Sequence, residues 1–163
     1  MWFKLLAVLV FASLAAPGHA QIDAPEAELV KAFGQPSAVQ PKAKGDYWDK
    51  TLAFGVKKLG LDWAVVARLK NGKVCSIVYG HAESGKPMGE TELMVFLSEN
   101  ANRLAWNKQV IRAANRISWF RNDNGAFAFY DGQDKRPNLH IMDKALWDVV
   151  AAKIKVQPGD KKR

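Results

Sequence analysis

A chain of 163 residues, 48% hydrophobic and 25% charged, has enough apolar content for one packed domain and lies outside the disordered and fibrous classes. Its single cysteine, Cys75, excludes an intrachain disulfide, so stability must come from packing. The formal charge of +8 favours anionic surfaces over acidic self-repulsion, and about half the excess lies in Lys144 to Arg163, with six bases and two acids.

Residues 1–20 read as a secretory signal peptide. Lys4 gives the positive start, Leu5 to Ala16 form an apolar run broken by Ser13, and Pro17-Gly18-His19-Ala20 supply the exit. The run is short for a membrane span, and no cysteine follows it to carry a lipid. The expected product starts near Gln21 and works in the periplasm or outside the cell. No transmembrane segment is expected in it.

Asp23 and Glu26 have capping-box spacing ahead of Leu29, Val30 and Phe33, which share one helical face. Gly34 and Pro36 stop that helix. Pro36 to Gly45 reads as a loop and Thr51 to Val56 as a strand. Trp63 to Lys70 alternates, Asn71-Gly72 is a strong hairpin signal, and Val74 to Tyr79 is the return strand. Gly80 to Gly89 reads as a loop. Thr91 to Asn100 follows as a helix capped by Thr91, with Leu93, Met94, Phe96 and Leu97 as its stripe.

Arg103 to Arg116 admits two readings: a helix on the spacing of Val110, Ile111, Ala114 and Ile117, or a loop or irregular strand. Ile117 to Phe120 and Ala126 to Tyr130 read as strands around Asn122-Asp123-Asn124-Gly125. Leu139 to Met142 reads as a short strand. Asp143 caps a last helix striped by Ala145, Leu146, Val149, Val150 and Ile154, and residues 157–163 form a basic tail. The expected fold is α+β, an antiparallel sheet covered by helices on one side. Residues 21–156 form one domain, whose halves 21–82 and 88–156 suggest a tandem α-β-β-β unit. Tyr47-Trp48-Asp49-Lys50 parallels Ala105-Trp106-Asn107-Lys108 in that reading.

Few residues carry the pattern of an enzyme. Gly80 to Lys86 matches most of a phosphate-cradling loop, but Pro87 stands where a Ser or Thr must hold magnesium. His81 and His140 have no close-spaced ligand pair, so no metal or other cofactor is expected. Cys75 sits inside a strand, where a thiol acts as a small apolar side chain rather than a nucleophile. No Gly-x-Ser-x-Gly elbow occurs. The stretch from Arg103 to Arg121 is different: Arg103, Lys108, Arg112, Arg116 and Arg121 occur with no acid, and Trp106 and Trp119 lie among them. If helical, Lys108, Arg112 and Arg116 would share one face. This is the candidate binding surface, for an envelope protein or an anionic polymer. Nucleic acid is not expected after export, and the sequence leaves the oligomeric state open.

Glu26 to Pro36, ending in Phe33-Gly34-Gln35-Pro36, resembles the opening helix of outer-membrane assembly lipoproteins of the SmpA/OmlA type and of beta-lactamase inhibitor proteins. The inhibitors are also tandems of two small α/β units, which is similar to the duplication expected here. The chain lacks the lipidation cysteine of the first group and the paired cysteines of the second. It also resembles small uncharacterised exported α+β proteins that share a Trp–Asp–Gly-type hairpin in the second half. The reading is an exported, non-enzymatic binding or protein-interaction protein of the cell envelope. The alternatives are an envelope hydrolase using Cys75 or scattered carboxylates, and a polyanion-associated protein using residues 103–121.

Overall fold

The structure, a computed structural model, describes residues 22–111 and 116–156. The signal-peptide reading of 1–20, Arg112 and the tail 157–163 lie outside the described residues. The element order is α1 (Glu26–Phe33), β1 (Ala38–Pro41), β2 (Lys50–Lys58), β3 (Leu61–Lys70), β4 (Lys73–His81), α2 (Glu90–Glu99), β5 (Trp106–Ile111), β6 (Arg116–Arg121), β7 (Ala126–Asp131), β8 (Leu139–Asp143) and α3 (Lys144–Val156). All eight strands join one antiparallel sheet in the order β1-β2-β3-β4-β8-β7-β6-β5. Each run of four strands is a meander. The two meanders meet where β4 pairs with β8, so β1 and β5 are the outer strands.

Tight turns explain the meanders. Asn71 and Gly72 both adopt positive φ, 53° and 74°, which matches the twist of β3 and β4. Leu59 and Gly60 do the same between β2 and β3, at 55° and 74°, without the Asn-Gly signature. Gly34, at φ 82°, ends α1 and its N–H donates to the Val30 carbonyl at 2.9 Å. Asp143 caps α3 as expected, accepting the Leu146 N–H at 2.6 Å.

Several expectations are corrected. Asp23 does not cap α1: it sits at φ 71°, its N–H donates to the Val74 carbonyl, and Pro25 is the N-cap. The stretch from Ile22 to Pro25 is thereby committed to backbone pairing beside β4 rather than to a cap, and Ile22 and Ala24 are buried there. The loop read over Pro36 to Gly45 contains β1. Gly89, not Thr91, is the N-cap of α2, and the Glu92 carboxylate accepts the Gly89 N–H at 2.7 Å. Trp106–Ile111 is strand, so the helical reading of Arg103 to Arg116 does not hold there. Each half runs one helix and four strands rather than three, with α3 added at the end.

The helices also lie on both faces of the sheet. Strand alternation sends Trp63, Val65, Ala67, Tyr79, Ile77, Ile141, Leu139, Ala128, Tyr130 and Trp119 to one face, where they pack with Leu29 of α1 and Leu93, Phe96 and Leu97 of α2. Tyr79 and Phe96 stack at 4.3 Å between centroids, and Trp63 meets Phe96 edge-on at 4.7 Å. Burying each such side chain contributes roughly 1.5–3 kcal/mol. On the opposite face Cys75, Phe127 and Met142 pack with Leu146 of α3, and Trp147 stacks on Phe127 at 3.8 Å. No helix among the described residues is long and apolar enough to cross a membrane.

Candidate binding groove on the α2 side of the sheet

β5 and β6 are antiparallel, with Lys108 opposite Trp119 and Trp106 opposite Arg121. Alternation therefore turns Trp106, Lys108, Ile117 and Trp119 toward the face that carries α2. Helix α2 does not reach across that face. A cavity of about 440 Å³ remains between them, floored by Ile117, Trp119 and Tyr130 and walled by Met88, Leu93 and Met94. Lys108 and Glu90 stand at its rim, Nζ to Oε1 3.8 Å. Two hydrogen bonds hold the frame: Trp106 Nε1–H donates to the Leu97 carbonyl at 2.8 Å, and the Met88 N–H donates to the Tyr130 hydroxyl at 2.8 Å. Met94 is 54% exposed, large and apolar, and forms part of the lip.

The groove adjoins an open sheet edge. The Asn122 N–H donates to the Ala105 carbonyl at 3.0 Å, which extends the β5–β6 ladder by one pair. By the alternation of antiparallel ladders, Asn107 and Gln109 exchange their backbone bonds with β6, and the backbone groups of Trp106 and Lys108 face outward. Among the described residues β5 has no second strand partner. The other outer strand, β1, has four residues and ends in Pro41, which cannot donate.

The residues singled out in the sequence are dispersed by this geometry. Trp106, Lys108 and Trp119 come together in the groove. Arg116 is on the opposite face, where it pairs with Asp131 at 3.3 Å and lies over the Phe129 ring. Arg121 is 3% exposed and its guanidinium is engaged by Asp123 through two 2.9 Å bonds. Arg103 sits in the exposed turn after α2, at φ 62°. Sequence reasoning missed Met88 and Tyr130 as groove residues. It had placed Leu93 and Met94 on one apolar stripe of α2, and nothing in that stripe marked Met94 as the exposed member.

Cys75 and the histidines are set apart from one another. Burial, with Asp143 nearby, pushes the Cys75 thiol up to about 11, and its Sγ–H donates to the Arg68 carbonyl at 3.3 Å. His81 stacks on Trp63 and bonds to Glu92 at 3.3 Å on the α2 side. His140 stacks on Phe129 at 4.6 Å on the other face, and burial lowers its pKa to about 4. Among the described residues no hydrogen bond joins the thiol to either imidazole. Nor do three or more His, Cys, Asp or Glu side chains gather as metal ligands among them.

No protein-family model matches the chain, and no curated protein matches it. Solved structures give distant likenesses. A cysteine-rich secretory protein from Staphylococcus aureus aligns over 77% of this chain and 45% of its own, at 14% identity and TM-score 0.39. A DUF4309 family protein from Bacillus subtilis aligns over 78% and 83%, at 12% identity and TM-score 0.37. The chain thus spans less than half the length of the first. Neither is one of the lipoproteins or inhibitor proteins that Glu26 to Pro36 resembles, and likenesses this distant carry no argument about activity.

Proposed function

We propose that the chain is an exported, non-enzymatic binding protein of the cell envelope, which takes an extended apolar peptide of a partner protein along β5. The observation that carries this reading is the coincidence of two features at the same residues. Trp106 and Lys108 turn their backbone groups to the open edge and their side chains to the groove. A peptide pairing with that edge adds a ninth strand and sends alternate side chains over Trp106, Trp119 and Met94. Aromatic and methionine side chains suit such a role, because they offer large contact area to ligands of differing shape. Export is supported by the charge and apolar pattern of residues 1–20. The repeated order of one helix and four strands, with β4 and β8 paired at the centre, supports a tandem origin for the two halves.

The geometry gives less to the other readings. A hydrolase needs an activated nucleophile, and Cys75 is held as a buried thiol. A polyanion surface needs converging cations, whereas Arg116 and Arg121 lie apart and each has a carboxylate partner. Selection from a random peptide library on the intact protein tests the proposal. Peptides with large apolar residues at every second position should be enriched and should fail to bind Met94→Glu. Enriched peptides without that alternation, or equal binding to the variant, would contradict it.

A further inference from the structure

The opposite face of the sheet holds a second cavity that the peptide groove does not use. It measures about 360 Å³ and lies over the ends of β3 and β4, under two loops. Its floor is Ala64, Val66 and Val78. One wall is the loop after β4, with Glu83, Ser84 and Lys86; the other is the β7–β8 loop, with Arg136 and Asn138.

The two walls are fitted to each other. A Cβ on Gly80 would collide with Asn138 Oδ1, so the glycine lets the Asn138 amide lie directly on the sheet. Gly85, at φ 83°, brings the first loop against the second, where a Cβ would sit 3.7 Å from the Lys135 carbonyl. These contacts hold Lys86 and Arg136 on either side of one space. Among the described residues neither cation has a carboxylate partner within ion-pair distance. Glu83 also lines the space, so the three charges sum to one excess positive charge.

We infer that this cavity binds a small phosphate- or carboxylate-bearing molecule with a short apolar body. The anionic group bridges Lys86 and Arg136 through charge-assisted hydrogen bonds, with the Ser84 hydroxyl and the Asn138 amide as further donors. The apolar body covers Val66 and Val78. Glu83 accepts a hydroxyl or ammonium of the ligand, where it has one. This is not a nucleotide-cradling loop. Pro87, Met88 and Gly89 separate Lys86 from α2, so the loop does not deliver the anion to a helix N-terminus. The recognition comes from side chains of two loops instead.

Titration of the full-length, isotope-labelled protein, followed through its backbone amide NMR signals, tests the inference. The probes are n-butyl phosphate, butyrate and n-butanol. One or both anions should shift Gly80, Ser84, Gly85 and Asn138 saturably, and butanol should not; the tighter anion identifies the headgroup. Lys86→Gln and Arg136→Gln should each weaken binding about tenfold, the effect of removing one charged hydrogen-bond partner. Lys31→Gln, at an exposed position of α1, should leave it unchanged. The inference is overturned if neither anion saturates, if butanol gives the same shifts, or if the Lys86→Gln/Arg136→Gln double variant binds as the parent does. Unchanged signals elsewhere in each variant report that the fold is retained.

Discussion

Lys108 of β5 and Glu90 of α2 face each other across the rim of the groove, 3.8 Å apart and both solvent-exposed. An exposed pair of this kind contributes less than about 1 kcal/mol, so it is a weak latch rather than a brace. Glu90→Ala should therefore leave the thermal midpoint almost unchanged. Freed from Glu90, Lys108 should favour a peptide with an acidic residue beside its apolar anchor. Calorimetric titration of paired peptides, acidic and neutral at that position, checks the preference.

Trp119 and Met94 line the same groove from opposite energetic positions. Trp119 is 3% exposed and packs in the main core, so Trp119→Ala should cost about 3–5 kcal/mol. Met94→Ala should cost under about 0.5 kcal/mol, since it removes a side chain already half in water. Urea unfolding of both variants separates the floor of the groove from its lip.

Arg121 ties three segments together. Its guanidinium donates twice to Asp123 at 2.9 Å and, through Nη1, to the Asn100 carbonyl at the end of α2, at 3.4 Å. Those bonds hold the Asp123 carboxyl below the usual carboxylate range. Asp123→Ala leaves a buried guanidinium with one carbonyl, a loss that reaches about 3–5 kcal/mol for a fully buried pair. Asp123 is partly exposed, and solvent screening reduces the expected loss to about 2 kcal/mol. Asp123→Glu should recover part of that, and chemical denaturation of the two variants measures the difference.

His140 makes stability depend on pH. Burial, then the positive charge of Arg68, lowers its pKa to about 4, against 6.5 for the free side chain; Asp134 acts the other way, and Arg116 adds a smaller lowering. The unfolded chain thus binds a proton below about pH 6.5 that the folded chain refuses until about pH 4. The contribution of His140 is intact above that window and is lost as the pH falls through it, by about 3 kcal/mol in total. Urea midpoints measured from neutral pH down toward the lower end of that window should fall with pH. In His140→Gln that portion of the fall should be absent.

Much of the second meander was legible because its signals are local. Asn122 to Gly125 marks a turn, Asp143 marks a helix start, and Phe127, Phe129 and Trp119 have strand alternation around them. Asn71-Gly72 marked the first hairpin for the same reason. Non-local demands decided the rest. Asp23 has the chemistry of a cap, but its backbone is taken by Val74. β1 is only four residues long and exposed throughout, and only its pairing with β2 makes it a strand. Trp106 to Ile111 carries apolar residues at spacings compatible with helix or strand, and the partner β6 selects the strand. In the groove the aromatic members Trp106 and Trp119 stood out by type. Of the basic run, Lys108 and Arg116 fall on opposite faces, because a strand sends successive residues to opposite faces and an antiparallel partner reverses the order. Whether a cation such as Arg121 is free or already engaged depends on Asp123 folding back onto it, which charge counting does not reveal.

Backbone hydrogen exchange of the intact protein, with and without a library-selected peptide, bears most directly on strand addition at β5. Slowed exchange at the Trp106 and Lys108 amides, with Asn107 and Gln109 little changed, is the result expected. Binding that leaves Trp106 and Lys108 exchanging as in the free protein would contradict the account, because the peptide would then be held somewhere other than the open edge.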